Sequence, residues 1–280
     1  MADRKILGRE PAQREDIGDL ITRFPPPKLS GPSPFLLIAH HGPQVFLPNN
    51  VELPFTAHPH RGFETVTFVR RGQLLHEDNR SGPRVVNQGG VQWMTAGSGV
   101  IHNESAPADF RRTGGSLELL QLWLNLPSRL KNTAPNYIGL EAEEIPAIST
   151  DEGRATVHLI AGAFDGHLGP IQSLTEVTLL VVDLKAEGSA TLPAPRGRDV
   201  FLYVVDGALA VGGEIVERHT RVELDRTGDH VAVSAPEDTT ILFGCADLIE
   251  EPVAARGPFV MTTPDELLQA VHDYQAGRFA

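Results

Sequence analysis

Two short segments with fixed parity constrain this chain most. His58-Pro59-His60 and His102-Asn103-Glu104 each place metal-binding side chains at i and i+2 in strand-like sequence. Alternate residues of a β-strand point to the same face, so each pair presents its two donors in one direction. Between the pairs lie three further strand-like runs, Glu64–Val69, Gln73–Asp78 and Val91–Thr95. They are dense in β-branched and aromatic residues and are separated by Arg71-Gly72, Ser81-Gly82-Pro83 and Gly89-Gly90. Where a sheet or barrel of such strands brings the two pairs together, three imidazoles and a carboxylate converge. That donor set suits a transition metal.

The rest of the chain repeats the short-strand pattern. Phe35–Ala39 reads as a strand, with His40 and His41 behind it as hydrogen-bonding loop residues rather than ligands. Leu117–Leu126 is a long apolar strand of the kind a barrel wall buries. Residues 126–146, bracketed by Pro127, Pro135 and Pro146, read as a connection. Beyond it come strands at 155–161, 178–184, 200–205, 221–224, 230–234 and 240–243, with an Asp206-Gly207 hairpin that parallels Arg71-Gly72. This predicts an all-β chain with an internal duplication of one barrel unit, residues 1–135 and then 136–280. The 27 glycines and 22 prolines fit so many turns. A helix is expected over 263–274: Thr263 suits the N-cap, Pro264 the first turn, and Asp265 and Glu266 its positive end. Its stripe of Leu267, Leu268, Val271 and Tyr274 should dock on a barrel.

Charge and composition narrow the function. A formal net charge of −12 argues against a nucleic-acid backbone as direct partner. Cys245 is the single cysteine, so no intrachain disulfide forms. The N-terminal residues lead into no long apolar run, and no stretch has the apolar length of a membrane helix. The expectation is a soluble cytoplasmic protein.

The spacing resembles the cupin superfamily. His58, His60, Glu64 and Gly72 match its first motif and Gly99 and His102 its second, except that Ala96 stands where the second motif has proline. Parity in a regular strand leaves Glu64 and Glu104 both open as the carboxylate ligand. The runs His58–Val66, His76–Asp78, Gln92–Gly97, His102–Glu104, Leu120–Trp123, Gly257–Met261 and Asp273–Gly277 together resemble pirin, a bicupin family, over nearly the whole chain. That resemblance implies two tandem cupin β-barrels with a C-terminal α-helix crossing back to the first barrel, and an N-terminal strand shared between them. It also implies metal ligands at His58, His60, His102 and Glu104, usually on iron, with Glu64 a nearby carboxylate. Fe(II) would keep about two positions for water, substrate or O₂. Glu64, Gln92 and backbone carbonyls are candidate outer partners for the histidines.

Gln92 and Met94 share a strand face and look into the barrel, while Trp93 looks out. Val66 and Phe68 continue an inward face from Glu64, so Phe68 joins Gln92 and Met94 in a mostly apolar pocket suited to an aromatic substrate. The second half, with no His-x-His, reads as metal-free, and Cys245 as a small core residue. Two functions follow from the resemblance. One is a quercetinase-type flavonol 2,3-dioxygenase acting on a small aromatic substrate with O₂, with Glu104 or Glu64 as the base. The other is a metal- or redox-dependent regulator that binds transcription factors or metabolic enzymes.

Overall fold

The structure is a computed structural model that describes residues 2–29, 31–49 and 53–279. Strands dominate it, and among the described residues α-helix is confined to Ala108–Thr113 and Pro264–Gln275. The fold is all-β apart from these. Among the described residues no helix is long and apolar enough to cross a membrane.

The compact units are not consecutive halves. One comprises Arg14–Ala142 with Ile249–Ala280, the other Met1–Gln13 with Glu143–Leu248. The boundary expected at residue 135 stands beside a division between Ala142 and Glu143, and each end of the chain joins the unit built mainly from the other half. The proline-bracketed connection is visible locally. The pairing of the chain ends depends on long-range ladders that no local pattern encodes.

In the unit containing both histidine pairs, a seven-stranded sheet runs Asn136–Leu140, Val91–Thr95, Phe63–Arg71, Gly115–Asn125, Phe35–Phe46 and Thr22–Phe24 before its last edge. A four-stranded sheet has the order His58–His60, Val100–Ser105, Gln73–Asp78, Arg84–Asn87. The other unit repeats both. Its seven-stranded sheet runs Ile6–Pro11, Thr220–Leu224, Asp199–Asp206, Thr239–Ala246, Thr178–Leu184, Ala155–Ala161, Ala147–Thr150. Its four-stranded sheet runs Ser189–Pro193, His230–Ser234, Ala208–Val211, Glu214–Glu217. The same ordering twice is what duplication of one unit produces. The position held by His58–His60 in the first four-stranded sheet is held in the second by Ser189–Pro193.

The interiors differ in chemistry. The second unit packs Leu192, Leu202, Leu209, Val231, Val233 and Phe243 into one continuous apolar core that also takes in buried Cys245. The first divides its apolar residues among smaller clusters, one around Leu74, Phe110, Leu117 and Leu119 and another around Met94, Ala96 and Val100. The same unit also buries the polar side chains of His60, His76, Gln92, His102 and Glu104.

Two local features position that site. Gly62 has φ +87° and separates the strand His58–His60 from Phe63–Arg71. A side chain there would meet the carbonyl of Val260, so glycine is required by conformation and by space. The C-terminal helix begins with a full capping box: Thr263 Oγ1 accepts from the Glu266 amide, and the Glu266 carboxylate accepts from the Thr263 amide.

Candidate metal centre

Antiparallel pairing brings the two histidine segments together. His102 pairs with His58 on one side of its strand and with Asp78 on the other, while Val100 pairs with His60. One ring nitrogen from each of His58, His60 and His102 lies within 4.8 Å of the other two. Among the described residues this is the one group of its kind. His60 and His102 are buried and His58 is half-buried, so the cluster reaches solvent through His58.

The outer nitrogens fix what the inner ones can do. His58 Nδ1 donates to the Thr56 carbonyl at 2.7 Å, and His60 Nδ1 to the Pro258 carbonyl at 3.4 Å. A neutral imidazole that donates from Nδ1 has a bare Nε2. His60 Nε2 is buried without a hydrogen-bond partner. His102 Nε2 stands 2.9 Å from His58 Nε2, and its Nδ1 is 3.5 Å from His76 Nδ1. His76 in turn bonds Asp78 at 2.8 Å. Burial, with help from neighbouring His58, lowers the pKa of His60 to about 3. Burial likewise holds His102 well below the usual histidine range. Neutral imidazoles with converging lone pairs, one of them unpartnered, are a donor set that fits a divalent transition metal.

Glu104 is not within that tight group but belongs to the same interior. It alternates with His102 along Val100–Ser105 and pairs with His76 across the ladder. Its carboxylate accepts from Gln92 Nε2 at 2.5 Å and from Gln121 Nε2 at 2.8 Å, with Thr67 Oγ1 at 3.4 Å. Tyr137 donates to Gln92 Oε1 at 3.2 Å, and its ring stacks on His76 at 4.0 Å. Gln121 Oε1 accepts from Trp123 Nε1 at 3.3 Å, and the Trp123 ring lies 5.5 Å from His60. Phe63 completes an aromatic corner, 5.1 Å from His60 and 4.4 Å from Trp123.

Glu64 does not face this interior. It pairs with Thr95 across the ladder, accepts from Thr95 Oγ1 at 2.6 Å, and burial pushes its pKa up. Thr67 pairs with Gln92, and both reach Glu104, so residues 63, 65 and 67 carry the inward face. Glu64, Val66 and Phe68 occupy the opposite one. The expectation that Phe68 lines the pocket is therefore corrected: counting by two from His60 fails because Gly62 breaks the strand. Gln92 and Met94 do lie on the inward side, Met94 among Ala96, Val100 and Tyr137. Gln92 serves Glu104 rather than a histidine, and the histidines' outer partners are carbonyls and the His76–Asp78 pair. His40 and His41 lie inside the long strand Phe35–Phe46, not in a loop, and bond Glu118 and Thr22.

Sequence reasoning missed Gln121, Trp123, Thr67, Tyr137 and the role of His76. Two signals were available. Gln121 is a polar residue between leucines in an apolar strand, and a buried amide needs partners. His76 and Asp78 also share the i, i+2 spacing that singled out the histidine pairs.

The chain matches the family described as Pirin over residues 19–124 and the Pirin C-terminal cupin domain over residues 179–280. It belongs to the pirin family. A "Pirin-like protein" of Caulobacter vibrioides is 41% identical over 80% of each chain. "Putative quercetin 2,3-dioxygenase PA2418" of Pseudomonas aeruginosa is 39% identical, over 88% of this chain and 86% of the relative. Among solved structures, a quercetin 2,3-dioxygenase from Acinetobacter baumannii superposes with TM-score 0.94 at 34% identity, covering 100% of this chain and 99% of that one. The Escherichia coli pirin YhhW, solved in complex with nickel(II), shares the fold at TM-score 0.67 and 20% identity, over 86% of this chain and 98% of its own.

Proposed function

We propose that this pirin is a quercetinase-type flavonol 2,3-dioxygenase. Its first cupin domain holds one iron(II) through His58, His60, His102 and Glu104, and the second cupin domain holds none. The observation that carries this reading is the convergence of bare imidazole nitrogens, His60 Nε2 unpartnered, beside a buried carboxylate. The likeness to a quercetin 2,3-dioxygenase at 34% identity supports the substrate class.

Bound there, iron(II) supplies Lewis-acid and one-electron chemistry toward a hydroxyflavone and dioxygen. The chain's own residues do the rest. Glu104, oriented by Gln92 and Gln121, takes the proton of the substrate's 3-hydroxyl. Tyr137 fixes Gln92 through its hydroxyl. Phe63 and Trp123 form a flat apolar wall beside His60 against which an aromatic ring orients. The half-buried side at His58 is the path for the small aromatic substrate and O₂. Glu64, on the other face, is a structural carboxylate in this scheme.

The test is direct. Iron-loaded protein mixed with quercetin under air should bleach the flavonol absorbance with matching oxygen uptake, and metal-stripped protein should not. Persistent absorbance with no oxygen consumed by the iron-loaded form would refute the activity. His60→Ala should lower bound iron to near zero while the folded circular dichroism spectrum persists. Unchanged iron content would remove His60 from the ligand set.

A further inference from the structure

The carbonyl that orients His60 comes from the far end of the chain. Pro258 O accepts from His60 Nδ1 and from the Arg61 amide, each at 3.4 Å. The Val260 amide donates to Arg61 O at 3.0 Å, so this stretch runs as a short parallel bridge beside His60-Arg61. Lys131 sits at the crossing, 2% exposed. Its Nζ donates to Gly62 O at 2.9 Å, to Val260 O at 3.1 Å and to Asn125 Oδ1 at 2.7 Å. An ammonium has three donors, and here each has an acceptor. Lysine is almost never fully buried unless so paired.

The tail then returns to the second histidine segment. Asp273, in the C-terminal helix, pairs with Arg61 Nη1 at 2.7 Å. The Phe279 ring seats on Gly99, where a Cβ would come within 2.8 Å of it. Phe279 O accepts from Asn79 Nδ2, and Asn79 Oδ1 accepts from the Ile101 amide at 3.1 Å. The residue after His60 and the residues before His102 are thus held by the same tail.

We propose that Lys131 and the C-terminal tail, residues 258–279, form a clamp that sets His60 and His102 for metal binding. Lys131 is a positioning residue: it touches no ligand nitrogen but ties the Gly62 turn to Val260, two residues beyond the Pro258 carbonyl that orients His60. The proposal rests on the metal reading given above.

Cobalt(II) titration of the full chain, followed by visible absorption and by competition with a chromogenic chelator, tests it. Lys131→Met removes the donor at similar length, and Asp273→Ala releases the helix from Arg61. Leu119→Ala, in the separate apolar cluster, is the comparison for lost stability alone. Both clamp variants should bind cobalt about 10-fold or more weakly, with an altered visible spectrum, because they loosen the segment that carries the Pro258 carbonyl, the outer partner of His60. Leu119→Ala should lower the melting temperature yet keep the wild-type affinity and spectrum. If Lys131→Met does not fold, Asp273→Ala decides. Wild-type affinity and spectrum in the folded clamp variants would overturn the clamp, as would an equal loss in Leu119→Ala. A wild-type chain that takes up no cobalt would overturn the metal reading itself, a distinguishable result.

Discussion

At the scale of single residues, burial decides charge. His41 lies 4% exposed, its Nδ1 on the Thr22 hydroxyl at 2.9 Å and its ring edge-on to Phe55. Desolvation, reinforced by His40, lowers its pKa from 6.5 to about 3. The unfolded chain then takes up a proton below the ordinary histidine range where the folded chain does not. The stability tied to His41 is therefore complete at neutral pH and is lost as pH falls toward 3. At pH 5 the loss is about 2 kcal/mol. His41→Gln should shrink the difference between urea-unfolding free energies at pH 7 and pH 5 by about that amount. An undiminished difference would show that His41 titrates normally.

The two glutamates make the same point about environment. Sequence spacing presents Glu64 and Glu104 as equivalent candidates. One ends among Gln92, Gln121 and Thr67, the other against Thr95 on the far face of the sheet. Nothing in either residue's immediate sequence separates them. The amides that mark Glu104 come from two other strands.

At the scale of elements, a single glycine resets the parity of the site. Gly62→Ala would place a Cβ against the Val260 carbonyl at a φ of +87°. The expected cost is about 1–3 kcal/mol of stability, read from denaturant midpoints, because strain at such a position has that size. A neutral result would mean the turn adjusts freely and parity across it is not enforced. The C-terminal helix depends on a weaker device. Thr263→Ala removes the side-chain acceptor for the Glu266 amide and should cost about 1 kcal/mol. Hydrogen exchange over 264–275 should rise first, since the cap secures that first turn.

The elements were the most legible part of the sequence. The strands at Val91–Thr95, Ala155–Ala161, Thr178–Leu184 and His230–Ser234 fall where residue pattern placed them. The helix does so within one residue. Strand propensity, turn glycines and capping are local properties. Phe35–Phe46 ran longer than expected because His40 and His41 are accommodated inside a ladder by buried partners.

At the scale of the molecule, each unit is closed by a segment from the opposite end of the chain. In the unit without histidine pairs, the strand Ile6–Pro11 forms an edge against Thr220–Leu224. Arg4, 1% exposed, directs its guanidinium at the carbonyls of Ala194, Pro195, Arg198 and Asp225. Arg4→Met would leave those carbonyls without their donor. A loss of roughly 3 kcal/mol or more is expected in that unit, each hydrogen bond to a charged group being worth about 1.5–3 kcal/mol. Cobalt uptake by the histidine unit should be unchanged. Calorimetry together with metal titration would check both halves of this expectation, and lost metal binding would contradict it.

What the sequence determined by itself is the local alphabet: short strands, their turns, a capped terminal helix, and two pairs of donors each sharing a face. These follow from backbone sterics and a period of two, which neighbours along the chain suffice to impose. Tertiary structure alone decided which face of the sheet each glutamate takes, and which amides and aromatic rings surround Glu104 and the histidines. Those outcomes depend on ladder register and on one left-handed glycine. Both are set by partners tens to hundreds of positions away, such as the Val260 carbonyl packed against Gly62.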